Sequence, residues 1–178
     1  ARLCDLNLAR QVEENRIAEE AYLQIEQTLD AETDRVIVIE NDTWQQGIIG
    51  IVSSRITERY GLPSILVSFS GSVDGEPDGS DDGKGSGRSI KGLNLVEALG
   101  ACEDLLVKYG GHELAAGLTV KGGDLEAFRE RINAYAREHL DEDAFKIKLE
   151  VDCELDMADV NLKFAKELQY LEPYGTGN

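Results

Sequence analysis

Histidine, cysteine, basic residues and long apolar runs are scarce in this sequence, and each scarcity removes a class of function. Only two histidines are present, His112 and His139, so a histidine-rich metal site or a paired-histidine mechanism has no material. The three cysteines, Cys4, Cys102 and Cys153, are odd in number and too far apart for a metal knuckle or a redox pair. They are expected as reduced core thiols. No apolar run approaches the ~20 residues that a membrane-spanning helix needs. No basic-then-apolar leader opens the chain, so a cytoplasmic protein without a membrane partner is expected. Bases number 18 against 35 acids, a net charge of −17 over 178 residues. That balance opposes nonspecific attraction to nucleic acid, which needs a basic face. Any nucleic-acid function must therefore rest on local charge. The chain opens on Ala1 and its only methionine is Met157, which predicts a piece of a longer protein.

What is present reads as alternating helices and strands. Leu8, Val12, Ala18, Ala21, Ile25 and Leu29 recur at helical spacing and predict one long amphipathic helix over 6–29. Val36 to Ile39 is wholly apolar, as in a strand buried on both faces. Residues 44–60 predict a helix stopped by Gly61-Leu62-Pro63, and Ile65 to Phe69 a second buried strand. This order predicts a parallel βαβ unit. Residues 70–87 hold six glycines, five acids, four serines and a proline, which predicts a mobile loop. Strand character is expected to resume at Arg88 to Ile90. Leu95 through Tyr109 predicts a helix, capped by Asn94 with Glu97 and ended by Gly110-Gly111. A strand over 115–120, a helix over 125–140, a half-exposed strand over 145–155 and a helix over 160–171 complete the reading. The fold class is α/β: a mixed sheet flanked by helices, preceded by a long helix.

Four constellations carry candidate chemistry. In Gly83-Lys84-Gly85-Ser86-Gly87-Arg88-Ser89, bare glycines admit a phosphate to backbone N–H groups and an arginine fork binds it. The spacing is neither a Walker loop nor a dinucleotide fingerprint. From Gly83 to Val96 there are three bases, Lys84, Arg88 and Lys91, and no acid. The alternative is a loop tail whose arginine pairs an acid elsewhere. In Gly110-Gly111-His112-Glu113, a histidine follows a glycine pair in an expected tight turn; the alternative is a hydrogen-bonded turn residue. Asp74 to Gly85 imitates a calcium loop but has glycine where the bidentate glutamate belongs. Gly47-Ile48-Ile49-Gly50 has the outline of a nucleic-acid clamp, but its isoleucines predict helix packing instead. Trp44 beside it offers a stacking ring, with a buried indole as the alternative.

Taken in order, Trp44 to Arg55, Gly85 to Ser89, Asn94 to Leu99 and Gly110 to Gly117 resemble the DHH-associated domain of the RecJ family of bacterial single-strand-specific DNA exonucleases, in the DHH phosphoesterase superfamily. The resemblance implies a linker helix over 1–30, a DHH-associated α/β domain over 31–144 and the start of an oligonucleotide-binding (OB-fold) domain over 145–178. It implies that Ser86, Gly87 and Arg88 hold the 5′-terminal phosphate of single-stranded DNA, and that Gly110, Gly111 and His112 face the active site. The metal ions, Mn2+ or Mg2+, and every catalytic residue would lie in a DHH domain outside this chain. The segment alone is then expected to bind no metal and to be inactive. Its partners would be single-stranded DNA and the DHH and oligonucleotide-binding domains of its own parent, in DNA repair and recombination. Two other functions remain open: the same domain in a phosphodiesterase for short RNA or cyclic dinucleotides, and an acidic interaction module without enzymatic activity.

Overall fold

The computed structural model describes residues 2–30, 32–69, 81–140, 151 and 154–173. The chain divides into two compact units, Ala1–Lys146 and Ile147–Asn178. In the first, helix α1 (Arg2–Thr28) carries ion pairs at helical spacing, Arg10 with Glu14 and Arg16 with Glu13 and Glu20. The Arg16 hydrogen bond lowers the Glu13 pKa. Only the second half of the expected apolar stripe is buried: Ala18, Ala21 and Ile25 are covered, together with Ile17, while Leu8 and Val12 are 59% and 70% exposed.

Strand β1 (Ile37–Asn41), helix α2 (Gln46–Tyr60) and strand β2 (Ser64–Ser68) form the expected parallel unit. Gly61 ends α2 in the left-handed conformation, φ 66°. The uniform apolarity of the two strands has a physical cause, since both faces of the sheet are covered. Val36, Val38, Ile65 and Val67 enter one core, and Ile37, Ile39 and Leu66 enter the other.

Two expectations fail here. The strand expected at Arg88 to Ile90 begins inside the expected loop and ends at Arg88: Asp82–Arg88 are strand β3, antiparallel to β2. The stretch 70–80, with most of the calcium-like pattern, lies outside the described residues. Glycine disfavours strands through entropy, yet packing demands it in β3. A Cβ at Gly83, Gly85 or Gly87 would stand 2.6 Å from Val67, 2.7 Å from Leu118 or 3.0 Å from Leu95. The expected helix over 95–109 is likewise short. Helix α3 (Leu95–Gly100) is followed by a 3-10 turn at Glu103–Leu105 and by strand β4 (Leu106–His112). The cap is as expected: Asn94 accepts from the Val96 and Glu97 amides and donates to the Glu97 carboxylate. The apolar stripe is real as far as Cys102. Beyond it, pairing with the next strand overrides helical propensity, and Gly110-Gly111 is strand, not a helix cap.

Strand β5 (Ala115–Lys121) and helix α4 (Leu125–His139) complete the unit. The sheet order is β1-β2-β3-β5-β4, with only β1 and β2 parallel. One core joins the sheet to α3 and α4 through Leu95, Leu99, Phe128 and Ile132. The other joins it to α1 and α2 through Ile25, Trp44, Ile49 and Ile56. Strand β1 is an edge, and α4 blunts it. Asn133, 4% exposed, accepts from the amides of Arg35 (2.7 Å) and Val36 (2.9 Å) and donates to the Val36 carbonyl (3.0 Å). Arg129 donates to the Val38 carbonyl and to Glu40.

Cys102 is the expected core thiol, its pKa pushed up to about 11 by burial. Cys4 is exposed on α1, against expectation, and Cys153 lies outside the described residues. In the second unit, helix α5 (Leu162–Leu168) and a 3-10 turn at Gln169–Leu171 fall within the helix expected over 160–171. Asn161 caps α5. The strand expected over 145–155 lies mostly outside the described residues.

Two stability measurements follow from the packing. Asn133→Ala removes the capping bonds of a buried edge and should cost about 2–4 kcal/mol in urea unfolding. Gly85→Ala drives a methyl group into Leu118 and should cost about 1–3 kcal/mol. An unchanged unfolding midpoint for either variant refutes the corresponding role.

Candidate phosphate-binding site

Strand β3 has two chemically opposite faces. Side chains alternate across a strand, so the face away from the three glycines presents Asp82, Lys84, Ser86 and Arg88. This face meets α2. Gly50 of α2 makes the approach possible: a Cβ there would lie 2.9 Å from Ser86 Oγ and 3.2 Å from an Arg88 terminal nitrogen. Arg88 donates from Nε to Ser54 Oγ (3.1 Å) and from Nη1 to Ser86 Oγ (3.3 Å) and the Gly87 carbonyl (2.8 Å).

All three partners are uncharged. Elsewhere, Arg10, Arg16, Arg55, Arg59, Arg129 and Arg131 each meet a carboxylate. Among the described residues no carboxylate pairs with Arg88, so the alternative of an arginine neutralised by an acid does not hold there. The β3 backbone does not form the expected phosphate cradle. The β3 backbone is laddered to β2 on one side and to β5 on the other. Its amides are committed to the sheet, and its glycines face the core. Any phosphate here is met by side chains, not by a cradle of backbone N–H groups.

The strand register brings the two candidate triads into line. Ser86 opposes Gly117, which opposes Gly110; Gly87 opposes Ala116, which opposes Gly111; Arg88 opposes Ala115, which opposes His112. The triads are two strand spacings apart, about 9–10 Å. The intervening residues of β5 are only glycine and alanine, so no bulky side chain stands between them. His112 is exposed at the end of β4, not in a turn that follows a helix. The turn is Glu113-Leu114, pinned by the Ser89 and Leu95 amides to the Leu114 and Glu113 carbonyls. Gly111 has φ 150°, and a Cβ there would lie 2.4 Å from the Ala115 carbonyl oxygen.

Other candidates resolve as packing. Ile48 and Ile49 are buried within α2, and Trp44 is fully buried with its indole N–H donating to Glu20. Residues without a signal of their own in the sequence also reach this face. Ser54 orients Arg88, and Lys108 and Thr119 share a row with Lys84. Their common row is a property of register, which no local pattern encodes. An open cleft of about 390 Å³ lies here, lined by Gln46, Lys84, Ser86, Lys108, Gly110 and Thr119 among others. Among the described residues, no three or more His, Cys, Asp or Glu side chains gather as metal ligands. No described helix is long and apolar enough to cross a membrane.

Comparison with known proteins agrees with this architecture. Residues 33–138 match the DHHA1 domain family. Over 178 residues the chain is 34% identical to the single-stranded-DNA-specific exonuclease RecJ of Bacillus subtilis. It is 32% identical over 136 residues, 74% of the chain, to that of Escherichia coli. The chain spans about a fifth of the length of these relatives, 22% of each. The crystal structure of RecJ with Mn2+ from Thermus thermophilus superposes with a TM-score of 0.78 at 32% identity, covering 99% of this chain and 24% of that one. The family match spans the strands and helices that build the Arg88 face, and the chain belongs to the DHHA1 domain family.

Proposed function

We propose that this chain is the substrate-binding segment of a RecJ-like 5′-to-3′ single-stranded-DNA exonuclease. Ser86, Gly87 and Arg88 hold the 5′-terminal phosphate, and Gly110, Gly111 and His112 border the scissile phosphate. The observation that carries this reading is Arg88. In a chain of net charge −17 it is oriented by three neutral acceptors and left without a carboxylate among the described residues. An arginine fixed this way keeps its charge for an anion and has Nη2 left to donate, since Nε and Nη1 are taken. The relatives' description as single-stranded-DNA-specific supplies the substrate class.

In this reading α1 links to a DHH domain, and residues 145–178 begin an oligonucleotide-binding domain. The Mn2+ and Mg2+ in the related crystal structures belong to those proteins. The metal-bearing domain is assigned outside this chain, and the segment contributes binding and orientation.

The test is the 5′-phosphate preference of the longer exonuclease. Cleavage of 5′-phosphorylated and 5′-hydroxyl single-stranded oligonucleotides is compared for the parent enzyme and Arg88→Ala. The preference should fall about tenfold or more, as expected for loss of one charge-assisted contact. An unchanged preference removes Arg88 from end recognition. Faster turnover of cyclic dinucleotides or short RNA than of DNA reassigns the substrate.

A further inference from the structure

We infer that Ser54 and Gly50, one turn apart on α2, are positioning residues for the terminal phosphate: Ser54 turns the Arg88 guanidinium so that Nη2 faces the anion, and Gly50 keeps the space in front of it open. The inference rests on the reading of Ser86–Arg88 as the terminal-phosphate site and adds the helix that aims it. A guanidinium only donates hydrogen bonds, so it is steered only by acceptors. The helix itself makes Ser54 an acceptor. Its hydroxyl donates to the Gly50 carbonyl (3.2 Å), the bond to residue i−4 that is open to serine within a helix. With its single proton committed there, Ser54 Oγ meets Arg88 Nε (3.1 Å) as an acceptor. From the other side, Nη1 donates to Ser86 Oγ and to the Gly87 carbonyl on β3. A guanidinium is planar and carries five N–H groups. Its Nε and Nη1 groups are held by two different elements, which fixes both its plane and its rotation, and the two N–H groups of Nη2 remain.

Those remaining donors face Gly50. A Cβ at Gly50 would stand 3.2 Å from Nη2 and 2.9 Å from Ser86 Oγ. Ser86 Oγ accepts from Nη1, and its own proton has no acceptor among the described residues. Two uncommitted donors, one of them charged, therefore meet beside the bare Cα of Gly50. Gly50, Ser86 and Arg88 are all partly exposed, so an anion reaches them. A methyl group at position 50 would occupy that space. The atoms it meets are ends of side chains, not backbone, so the substitution displaces the donors while the helix stays in place. Alanine is also the better residue in a helix interior.

The test is made in the parent enzyme, and its readout is the ratio of kcat/KM for 5′-phosphorylated over 5′-hydroxyl single-stranded oligonucleotides. Ser54→Ala leaves Nε without its acceptor and should lower the ratio about fivefold. The loss should appear in KM for the phosphorylated substrate rather than in kcat, because a contact to the terminal phosphate is made before and during the reaction alike. Ser54→Thr keeps the hydroxyl and should hold the ratio within about twofold of the parent. Gly50→Ala should lower it about fivefold or more. In an Arg88→Ala background, Ser54→Ala should change the ratio less than about twofold, because it acts through the guanidinium. A ratio lost in Arg88→Ala but retained in Ser54→Ala and Gly50→Ala overturns positioning by α2 and keeps the terminal-phosphate site. Equal losses in Ser54→Ala and Ser54→Thr, or a loss that adds to that of Arg88→Ala, overturn the role of the hydroxyl. Slower cleavage of both substrates at constant ratio marks a merely structural helix and overturns the inference. A ratio that Arg88→Ala itself leaves unchanged overturns the terminal-phosphate reading, and the inference with it.

Discussion

The structure depends on the two-faced character of β3. This strand is central, so its neighbours fix its position from both sides. On one face it offers only hydrogen atoms, and Val67, Leu118 and Leu95 close over them at distances that leave no room for a methyl group. On the other face it offers Lys84, Ser86 and Arg88. The glycines let the core approach closely on one side while the alternate positions stay polar on the other. Gly50 repeats the device on α2, whose bare position lets the helix settle against Ser86 and Arg88. Side chains at these glycines would separate the layers that hold Arg88 in place.

Charge follows the same division. Most arginines of this acidic chain are spent on carboxylates, in α1 by Glu13, Glu14 and Glu20 and in α4 by Glu40 and Glu126. Exposed pairs of this kind contribute little stability each. Their consequence here is electrostatic: they neutralise six arginines, while Arg88 keeps no carboxylate partner among the described residues. A net charge of −17 therefore does not oppose an anion site. It repels anions in general, and an anion at the proposed Arg88 site is held by charges inside the ~8–10 Å screening length of physiological salt.

The sequence was most legible where local pattern and tertiary demand coincide. Apolar strands buried on two faces, the Gly61 stop, the Asn94 cap and the amphipathic α4 all follow from periodicity and capping chemistry. It was least legible where tertiary pairing overrides local preference. Glycine and acid between 82 and 87 look like a loop because nothing nearby shows that Leu118 and Leu95 need the space. Leu105 to Tyr109 continue a helical stripe by coincidence of spacing, yet Leu106 to His112 pair with β5 and become strand. Arg88 was identifiable as a candidate by its type and its acid-free surroundings. Ser54, Thr119 and Lys108 were not, because their relation to it is a matter of register between distant segments.

The pairing of β3 on both sides limits the kind of recognition open to the proposed phosphate site. A glycine-rich loop binds phosphate through backbone amides, which tolerate many side chains around them. Here the amides of β3 are committed to its neighbours, so donors must come from Arg88, Ser86 and Lys84. Strand β4 differs, because it is the outer strand of the sheet and half of its backbone groups face outward. Gly110 and Gly111 leave that edge bare. The face thus joins a row of side chains, fixed by a fully paired strand, to an edge of uncovered backbone two strands away. The first suits a phosphate that must be recognised by charge, and the second suits a backbone that must pass close by. Under the proposed function, that combination distinguishes the end of a strand from its middle, because only the end delivers an additional charge to Arg88.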